Sequence, residues 1–143
     1  MVGQVTINNN DLFLSYGASL VKGAYKALLH GLQAKEIVKN TSRTEDGDRA
    51  VITEDYPIKL ASREVSLSFL IEGETRAKML SNRKSFLNDL IASTIITFNA
   101  NKLGTGFKFI FREISDITDY KNNRYSTIQV TFYEPNPKDR ISL

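Results

Sequence analysis

The stretch from Arg63 to Asn99 constrains the fold more than any other, because its hydrophobic period changes twice. Apolar residues occupy every second position from Val65 to Ile71, which predicts a half-buried β-strand. From Thr75 to Ala92 they recur at three- and four-residue steps, which predicts an amphipathic helix with Thr75 as its N-cap. The predicted apolar stripe of this helix comprises Ala77, Leu80, Phe86, Leu87, Leu90 and Ile91. β-branched and aromatic residues return from Ser93 to Asn99, so we expect the helix to pack on a sheet with strands from both sides of it.

Strand patterns dominate the rest of the chain. A short strand is predicted from Val2 to Ile7, a buried strand from Phe107 to Ile114, and a last strand from Thr127 to Tyr133 that the following prolines end. Between the last two, the segment from Ser115 to Arg124 is predicted to be a polar connector. The 143 residues are therefore expected to form one domain, residues 1–143, of the α+β class and mainly β.

The segment from Leu12 to Leu32 leaves two interpretations open. Apolar residues from Leu20 to Leu32 repeat with helical spacing, but Gly17, Gly23 and Gly31 interrupt the segment. An interior glycine costs a helix about 1 kcal/mol relative to alanine. The spacing predicts a helix, and a strand with a short helical turn is the alternative.

A long polar segment precedes the central strand. The residues from Ala34 to Asn40 and from Arg49 to Thr53 have the pattern of extended chain, and the polar stretch between them contains the turn-forming pair Asp46-Gly47. This pattern predicts a long hairpin or a protruding loop. Such a loop is hard to justify in an isolated monomer, so its mixed charges are candidates for contacts with a neighbouring copy. The candidate contact residues are Arg43, Glu45, Asp46, Gly47, Asp48 and Arg49.

Composition excludes several classes of site. The chain has no cysteine, and His30 is its one histidine, so it has no disulfide, thiol nucleophile or zinc-thiolate site. The acidic residues around Asp46 lack the ligand order of a calcium-binding loop. The net charge is only +3, and no apolar run reaches the ~20 residues that cross a bilayer. We therefore expect no enzyme activity, no metal, no cofactor and no membrane span.

One strand also suggests a nucleic-acid interpretation. Phe107, Lys108 and Phe109 partly match the aromatic strand of an RNA-recognition motif, in which bases stack on exposed rings. However, Arg112 stands where that motif has a further aromatic residue, and alternating phenylalanines are more typical of a core strand. A monomeric module that binds single-stranded RNA or DNA through Phe107, Lys108, Phe109 and Arg112 is therefore the alternative function.

Seven short segments, spread over the whole chain, form a recognisable set: Val5–Phe13, Tyr16-Gly17, Lys22–Leu29, Glu45–Gly47, Ser62–Ile71, Lys84–Leu90 and Val130–Pro137. Together they resemble the small tail proteins of long-tailed bacteriophages and prophages. The similarity is to the N-terminal ring domain of distal tail proteins and to tail-tube proteins. None of these segments is diagnostic by itself.

The resemblance implies a β-sandwich or split barrel flanked by one helix, assembled as a ring, typically hexameric, around a DNA channel. The hairpin near Asp46-Gly47 would correspond to the loop by which such rings reach a neighbouring subunit. A channel wall that lets DNA pass without binding is polar or acidic. The candidate wall residues are Ser66, Ser68, Thr97, Thr127, Gln129 and Thr131.

The implied role is that of a structural, non-enzymatic component of the virion tail, assembled in the cytoplasm of the bacterial host. Its implied partners are further copies of itself and other tail or baseplate proteins. Distal tail proteins usually carry a further C-terminal β-domain, whereas this sequence ends at Leu143. The resemblance therefore implies two alternative roles, a distal tail protein or a tail-tube subunit.

Overall fold

The computed structural model describes residues 3–21, 23–29, 60–120 and 124–143. Its strands are β1 Val5–Ile7, β2 Asn10–Asp11, β3 Ala18–Leu20, β4 Arg63–Glu72, β5 Ile96–Ala100, β6 Thr105–Asp119, β7 Tyr125–Glu134 and β8 Ile141–Ser142. Its helices are α1 Leu12–Tyr16, α2 Ala24–Leu29 and α3 Arg76–Ala92, with a 3-10 turn at Asn101–Leu103. The predicted α+β, mainly β class is confirmed.

The strands form one curled antiparallel sheet in the order β2-β1-β5-β6-β7-β4-β3, and β8 pairs with β6. β6 joins the two halves of this sheet, because residues 105–109 pair with β5 whereas residues 110–119 pair with β7. We call β6-β7-β4-β3 the four-stranded half-sheet. The rings of Phe98 on β5 and Phe69 on β4 lie 6.4 Å apart, although these strands are not neighbours in the sheet. The sheet therefore folds over on itself, as expected for a sandwich or split barrel.

The core between the two halves is rich in phenylalanine. Phe69, Phe98, Phe109 and Phe132 come from four different strands and are fully buried. The rings of Phe109 and Phe132 stack with their centroids 5.3 Å apart. Burying each such side chain contributes about 1.5–3 kcal/mol, so this cluster is a main source of the stability of the fold.

Helix α3 begins and ends as predicted. The hydroxyl of Thr75, the N-cap, accepts a hydrogen bond from the backbone N–H of Lys78 at 3.2 Å. Such a cap satisfies one of the N–H groups that the first helical turn leaves without a partner. The last helical residue is Ala92.

The buried stripe of α3 differs from the predicted one. Met79, Phe86 and Leu90 are buried, whereas Ala77 and Ile91 are exposed. At about 100° per residue, Met79 falls close to the direction of Phe86 and Ala77 points to the opposite side. The predicted stripe was therefore wrong at Ala77 and Ile91, because the sheet contacts only the side of the helix that is centred on Phe86.

The described residues up to Leu29 follow the alternative interpretation, a strand and then a short helix. β3 is extended where the helical spacing began, and α2 is only six residues long. Gly17 ends α1 in the left-handed conformation, with φ of 60°. Gly23 has φ of 95° just before α2, and L-residues with a side chain rarely adopt this conformation. The glycines thus divide this segment into short elements, and of the helix predicted from Leu20 onwards only Ala24–Leu29 is helical within the described residues.

β6 is longer than predicted, because residues 115–119 of the expected connector belong to it. Its register with β7 shifts between Phe111 and Glu113 and again between Ile114 and Asp116. Each shift is a β-bulge, which sets two residues of one strand against one of the other and interrupts the alternation of faces. The interrupted alternation explains why the sequence pattern did not indicate a strand here.

Candidate functional site

One face of the four-stranded half-sheet is polar. Alternate residues of β4 are buried in the core, and the residues between them point to the other side. We call that other side of β4, β7 and β6 the polar face. Cross-strand pairing brings five of the six predicted channel residues together there: Ser66, Ser68, Thr127, Gln129 and Thr131. The sixth, Thr97, lies on β5 opposite Lys108 and outside the half-sheet.

Hydroxyl groups connect the strands across the polar face. The Thr131 hydroxyl lies 3.0 Å from that of Ser66 on β4 and 2.6 Å from that of Ser115 on β6. Near the other end, the hydroxyls of Tyr120 and Thr127 are 3.0 Å apart. These hydroxyl groups therefore satisfy much of their hydrogen-bonding capacity within the sheet. The face is polar, but it offers few free hydrogen-bonding groups to a ligand.

Carboxylates outnumber cations on the described part of the polar face. Glu64 of β4 pairs with Arg112 of β6 at 3.0 Å. Glu113 and Asp116 of β6 lie opposite Thr131 and Gln129 respectively, and so share their face. The surplus of negative charge would repel the phosphates of a nucleic acid.

Among the described strands, the half-sheet has an open edge on each side. Within the described residues, residues 110–119 of β6 pair only with β7, and β3 pairs only with β4. β6 and β3 bound the half-sheet on opposite sides and run in opposite directions, because every neighbouring pair is antiparallel. Open strand edges are templates for pairing with a further strand.

The two open edges are level with each other at one end of the half-sheet. Past its second bulge, β6 keeps a regular register over residues 116–119. One row of cross-strand partners runs Ala18, Ile71, Ser126, Asp119, and another runs Leu20, Phe69, Ile128, Ile117. The three residues of β3 therefore lie level with residues 117–119 of β6.

The structure contradicts the aromatic platform of the alternative function. Phe107 and Phe109 are fully buried, so neither ring offers a face to a base. The Lys108 ammonium pairs with Asp139 at 3.0 Å, and the Arg112 guanidinium is engaged by a carboxylate on the polar face. The alternating rings pack in the core because the sheet folds over this part of β6.

The predicted contact hairpin lies outside the described residues. This applies to Arg43, Glu45, Asp46, Gly47, Asp48 and Arg49. The residues that flank this part of the chain are described, however, and the Arg63 guanidinium donates a hydrogen bond to the carbonyl of Leu28. The connecting segment therefore begins and ends at the same place on the fold.

A buried ion cluster lies where Arg63 meets the carbonyl of Leu28. Arg63 Nε donates to Glu134 Oε1 at 2.6 Å, and Arg140 Nη2 donates to the same oxygen at 3.0 Å. The Arg140 guanidinium also lies 4.7 Å from the ring centroid of Phe107. Glu134 is fully buried. The sequence placed Glu134 at the end of an apolar strand, but nothing local in it indicated two arginine partners.

The described residues hold no group of three or more histidine or carboxylate side chains that could bind a metal. Among the helices in the described part of the chain, none is long and apolar enough to cross a membrane.

Comparison with known proteins identifies a similar fold. No protein-family profile and no curated protein matches the chain. Its structure is similar to the crystal structure of the Dit protein of phage SPP1, with a TM-score of 0.52 and 15% sequence identity. The fold resembles that of a phage distal tail protein. The match covers 94% of this chain and 50% of the Dit chain, so the chain spans about half the length of that protein.

The Dit structure is described as a paradigm of the hub adsorption apparatus in phages that infect Gram-positive bacteria. The resemblance expected from the sequence is thereby confirmed at the level of the fold.

Proposed function

We propose that this protein is a structural, non-enzymatic component of a phage tail, of the distal tail or tail-tube type, that assembles as a ring around the path of the DNA. The observation that carries the proposal is the four-stranded half-sheet, which combines a polar face with an open edge on each side. The likeness of its fold to the Dit protein supports the same role. A hexamer is the ring size that the family resemblance implies, and other tail or baseplate proteins are its partners in the virion.

Ring assembly would follow from the two open edges. β3 of one copy can add to β6 of the next copy without breaking the antiparallel alternation, because the two edges run in opposite directions. A contact between two different surfaces repeats from copy to copy and closes into a ring when the rotation fits. Each such junction would also cover two edges that could otherwise cause aggregation.

The polar face would form the wall of the channel. In a continuous sheet made of half-sheets, the cores lie on one side and the polar faces on the other. Hydroxyl groups that bond to one another and a surplus of carboxylates make this face repel phosphates, and the Arg112 guanidinium on it is paired with Glu64. This arrangement suits passage of DNA through the ring without retention.

The segment between Leu28 and Arg63 would provide an arm that contacts a neighbouring copy. A segment whose two ends are joined by a hydrogen bond can extend from the fold without disturbing the sheet. Its charged residues Arg43, Glu45, Asp46, Asp48 and Arg49 are then the candidates for ion pairs between copies.

Light scattering over a concentration series tests the assembly. We expect an oligomer of about six times the 16.1 kDa chain mass, a ring by electron microscopy, and weaker association when Asp46-Gly47-Asp48 is deleted. A protein that stays monomeric over the whole range, with or without the deletion, would contradict the ring.

Charge reversal tests the channel wall. The double variant Glu113→Lys/Asp116→Lys should gain binding to duplex DNA that weakens steeply with salt, because the reversed face would contact phosphates. The matched control is Glu74→Lys/Asp139→Lys, which makes the same change of charge away from the polar face. Equal DNA binding by both variants would argue against a wall at the polar face.

A further inference from the structure

The hydrogen bonds from β3 to β4 decide which backbone groups β3 turns towards its open edge. The carbonyl of Gly17 and the N–H of Val21 each form a hydrogen bond of 3.0 Å to the backbone of β4. The backbone groups of successive residues in an antiparallel strand point alternately to its two sides. Ser19 therefore also bonds to β4, and the N–H and C=O groups of Ala18 and Leu20 point to the open edge.

The regular end of β6 has the matching arrangement. The N–H of Tyr120 donates to the carbonyl of Tyr125 on β7 at 3.2 Å, so residue 120 turns its backbone groups towards β7. By the same alternation Thr118 bonds to β7, and the N–H and C=O groups of Ile117 and Asp119 point to the open edge. Each open edge thus presents the backbone groups of two residues that lie two positions apart, and these groups have no partner strand among the described residues.

The four residues whose backbone groups face the open edges point their side chains to the core side. Ala18 and Leu20 are buried, and Ile117 and Asp119 stand opposite fully buried residues of β7. Residues directly opposite each other in an antiparallel pair share a face. Ile117 lies on the last described strand on its side of the half-sheet and is 46% exposed.

We propose that the ring junction has one register, in which Leu20 of one copy lies opposite Ile117 of the next copy and Ala18 lies opposite Asp119. The inference rests on the proposed ring and names the residues that join its copies. The occupant of each open edge is a second copy of this chain, because the complementary backbone groups lie at the same level on the opposite edge of the same half-sheet. Both pairs can exchange two hydrogen bonds each, and Leu20 of the added strand covers Ile117.

Other registers satisfy fewer backbone groups. A shift by one residue sets outward-pointing groups against groups that point away, and it turns the core residues of β3 to the polar face. A shift by two residues keeps the faces but retains only one of the two hydrogen-bonded pairs. In one direction the other pair would meet Ser115, where the bulge interrupts the alternation, and in the opposite direction it would lie beyond Asp119, the last residue of β6.

Disulfide trapping between the two hydrogen-bonded pairs tests the register, since the chain contains no cysteine. In the proposed register Ser19 of one copy lies opposite Thr118 of the next, as a non-hydrogen-bonded pair with Cα atoms about 4.5 Å apart. A disulfide can form at that distance. Within one copy the two residues are three strand spacings apart, about 14 Å, so only a contact between copies is trapped. After oxidation, Ser19→Cys/Thr118→Cys should form a ladder of covalent multimers on non-reducing gels.

The matched control is Ser19→Cys/Asp116→Cys, in which the second cysteine lies two residues along the same face of β6. Its covalent multimers should form at least about tenfold more slowly, because the Cα atoms would be about 7–8 Å apart. Light scattering of the wild-type protein and of the reduced variants separates the two proposals. An oligomer that is trapped as fast through Asp116 as through Thr118 would overturn the register and leave the ring intact. An oligomer that neither variant traps would overturn the junction of β3 with β6, and a protein that stays monomeric would overturn the ring itself.

Discussion

Replacing Glu134 with glutamine removes one buried negative charge at nearly constant shape. The carboxylate accepts from Arg63 at 2.6 Å and from Arg140 at 3.0 and 3.1 Å. Glutamine keeps one acceptor and turns the other into a donor that faces a guanidinium. Two cations, with side chains only 6% and 18% exposed, would lose the carboxylate that both of them bind.

The expected cost is large relative to the stability of a domain. Breaking a buried ion pair by removing one partner costs about 3–5 kcal/mol. Domains are stable by about 5–15 kcal/mol in total. With a urea m-value of about 1–3 kcal/mol/M, the unfolding midpoint should fall by at least about 1 M. The chain has no tryptophan, so circular dichroism or tyrosine fluorescence is the appropriate signal.

Two further variants make the result specific. Glu64→Gln removes the same charge from the exposed pair with Arg112 and should cost less than about 1 kcal/mol. The triple variant Arg63→Met/Glu134→Leu/Arg140→Met removes all three charges and should recover part of the lost stability, because it also removes the hydrogen bond from Arg63 to the carbonyl of Leu28. The reasoning is refuted if Glu134→Gln and Glu64→Gln have equal effects.

Three further predictions concern local structure. Gly17→Ala should destabilise the fold by at least about 2 kcal/mol in the same urea assay, because φ is +60° and the new Cβ would lie 2.6 Å from a backbone carbonyl oxygen. Gly104→Ala is the control: φ is +64° there too, but the new Cβ would meet open space, so the cost should be only about 1 kcal/mol. Burial raises the pKa of Tyr16 from 10.0 to about 12, so the stability that its neutral phenol contributes is fully present below pH 10 and is lost as pH approaches 12. Tyr16→Phe should remove the phenol ionisation near pH 12 from an absorbance titration. The Ser126 hydroxyl holds the pKa of Asp119 below its ordinary 3.8, so the stability due to Asp119 is present above pH 3.8 and is lost as pH falls through the lowered pKa. An NMR titration of Ser126→Ala should show the pKa of Asp119 raised, and an unchanged pKa would argue against the hydrogen bond.

Local patterns in the sequence were sufficient for the central unit of the fold. Period-two alternation indicated β4 and β7, and the change to helical spacing after Thr75 indicated α3 to the residue at both ends. These elements could be predicted because one side of each is buried, so that apolar residues recur along the sequence at the period of the strand or helix. The same logic indicated the core strand around Phe107. The rings of Phe107 and Phe109, which the alternative function would have used to stack bases, are inside the protein.

Prediction failed where burial was not uniform. The second half of β6 has two bulges and mostly exposed residues, so neither face shows a continuous apolar period. The helical spacing after Leu20 was misleading, because the positive φ angles at Gly17 and Gly23 divide the segment into a strand and short helices. The hairpin residues from Arg43 to Arg49 and the single-domain organisation stay predictions.

Local residue order was enough to predict the mainly β class, the position of the long helix and the set of polar residues that recur on strands β4 and β7. It determined these because alternation and helical spacing are properties of neighbouring residues. Three features appeared only in the folded chain. β6 changes partners half-way, two edges that are open among the described strands lie level on opposite sides of the half-sheet, and Arg63, Glu134 and Arg140 meet. Strand order and buried ion clusters depend on contacts between residues far apart in the chain, and no local period encodes them.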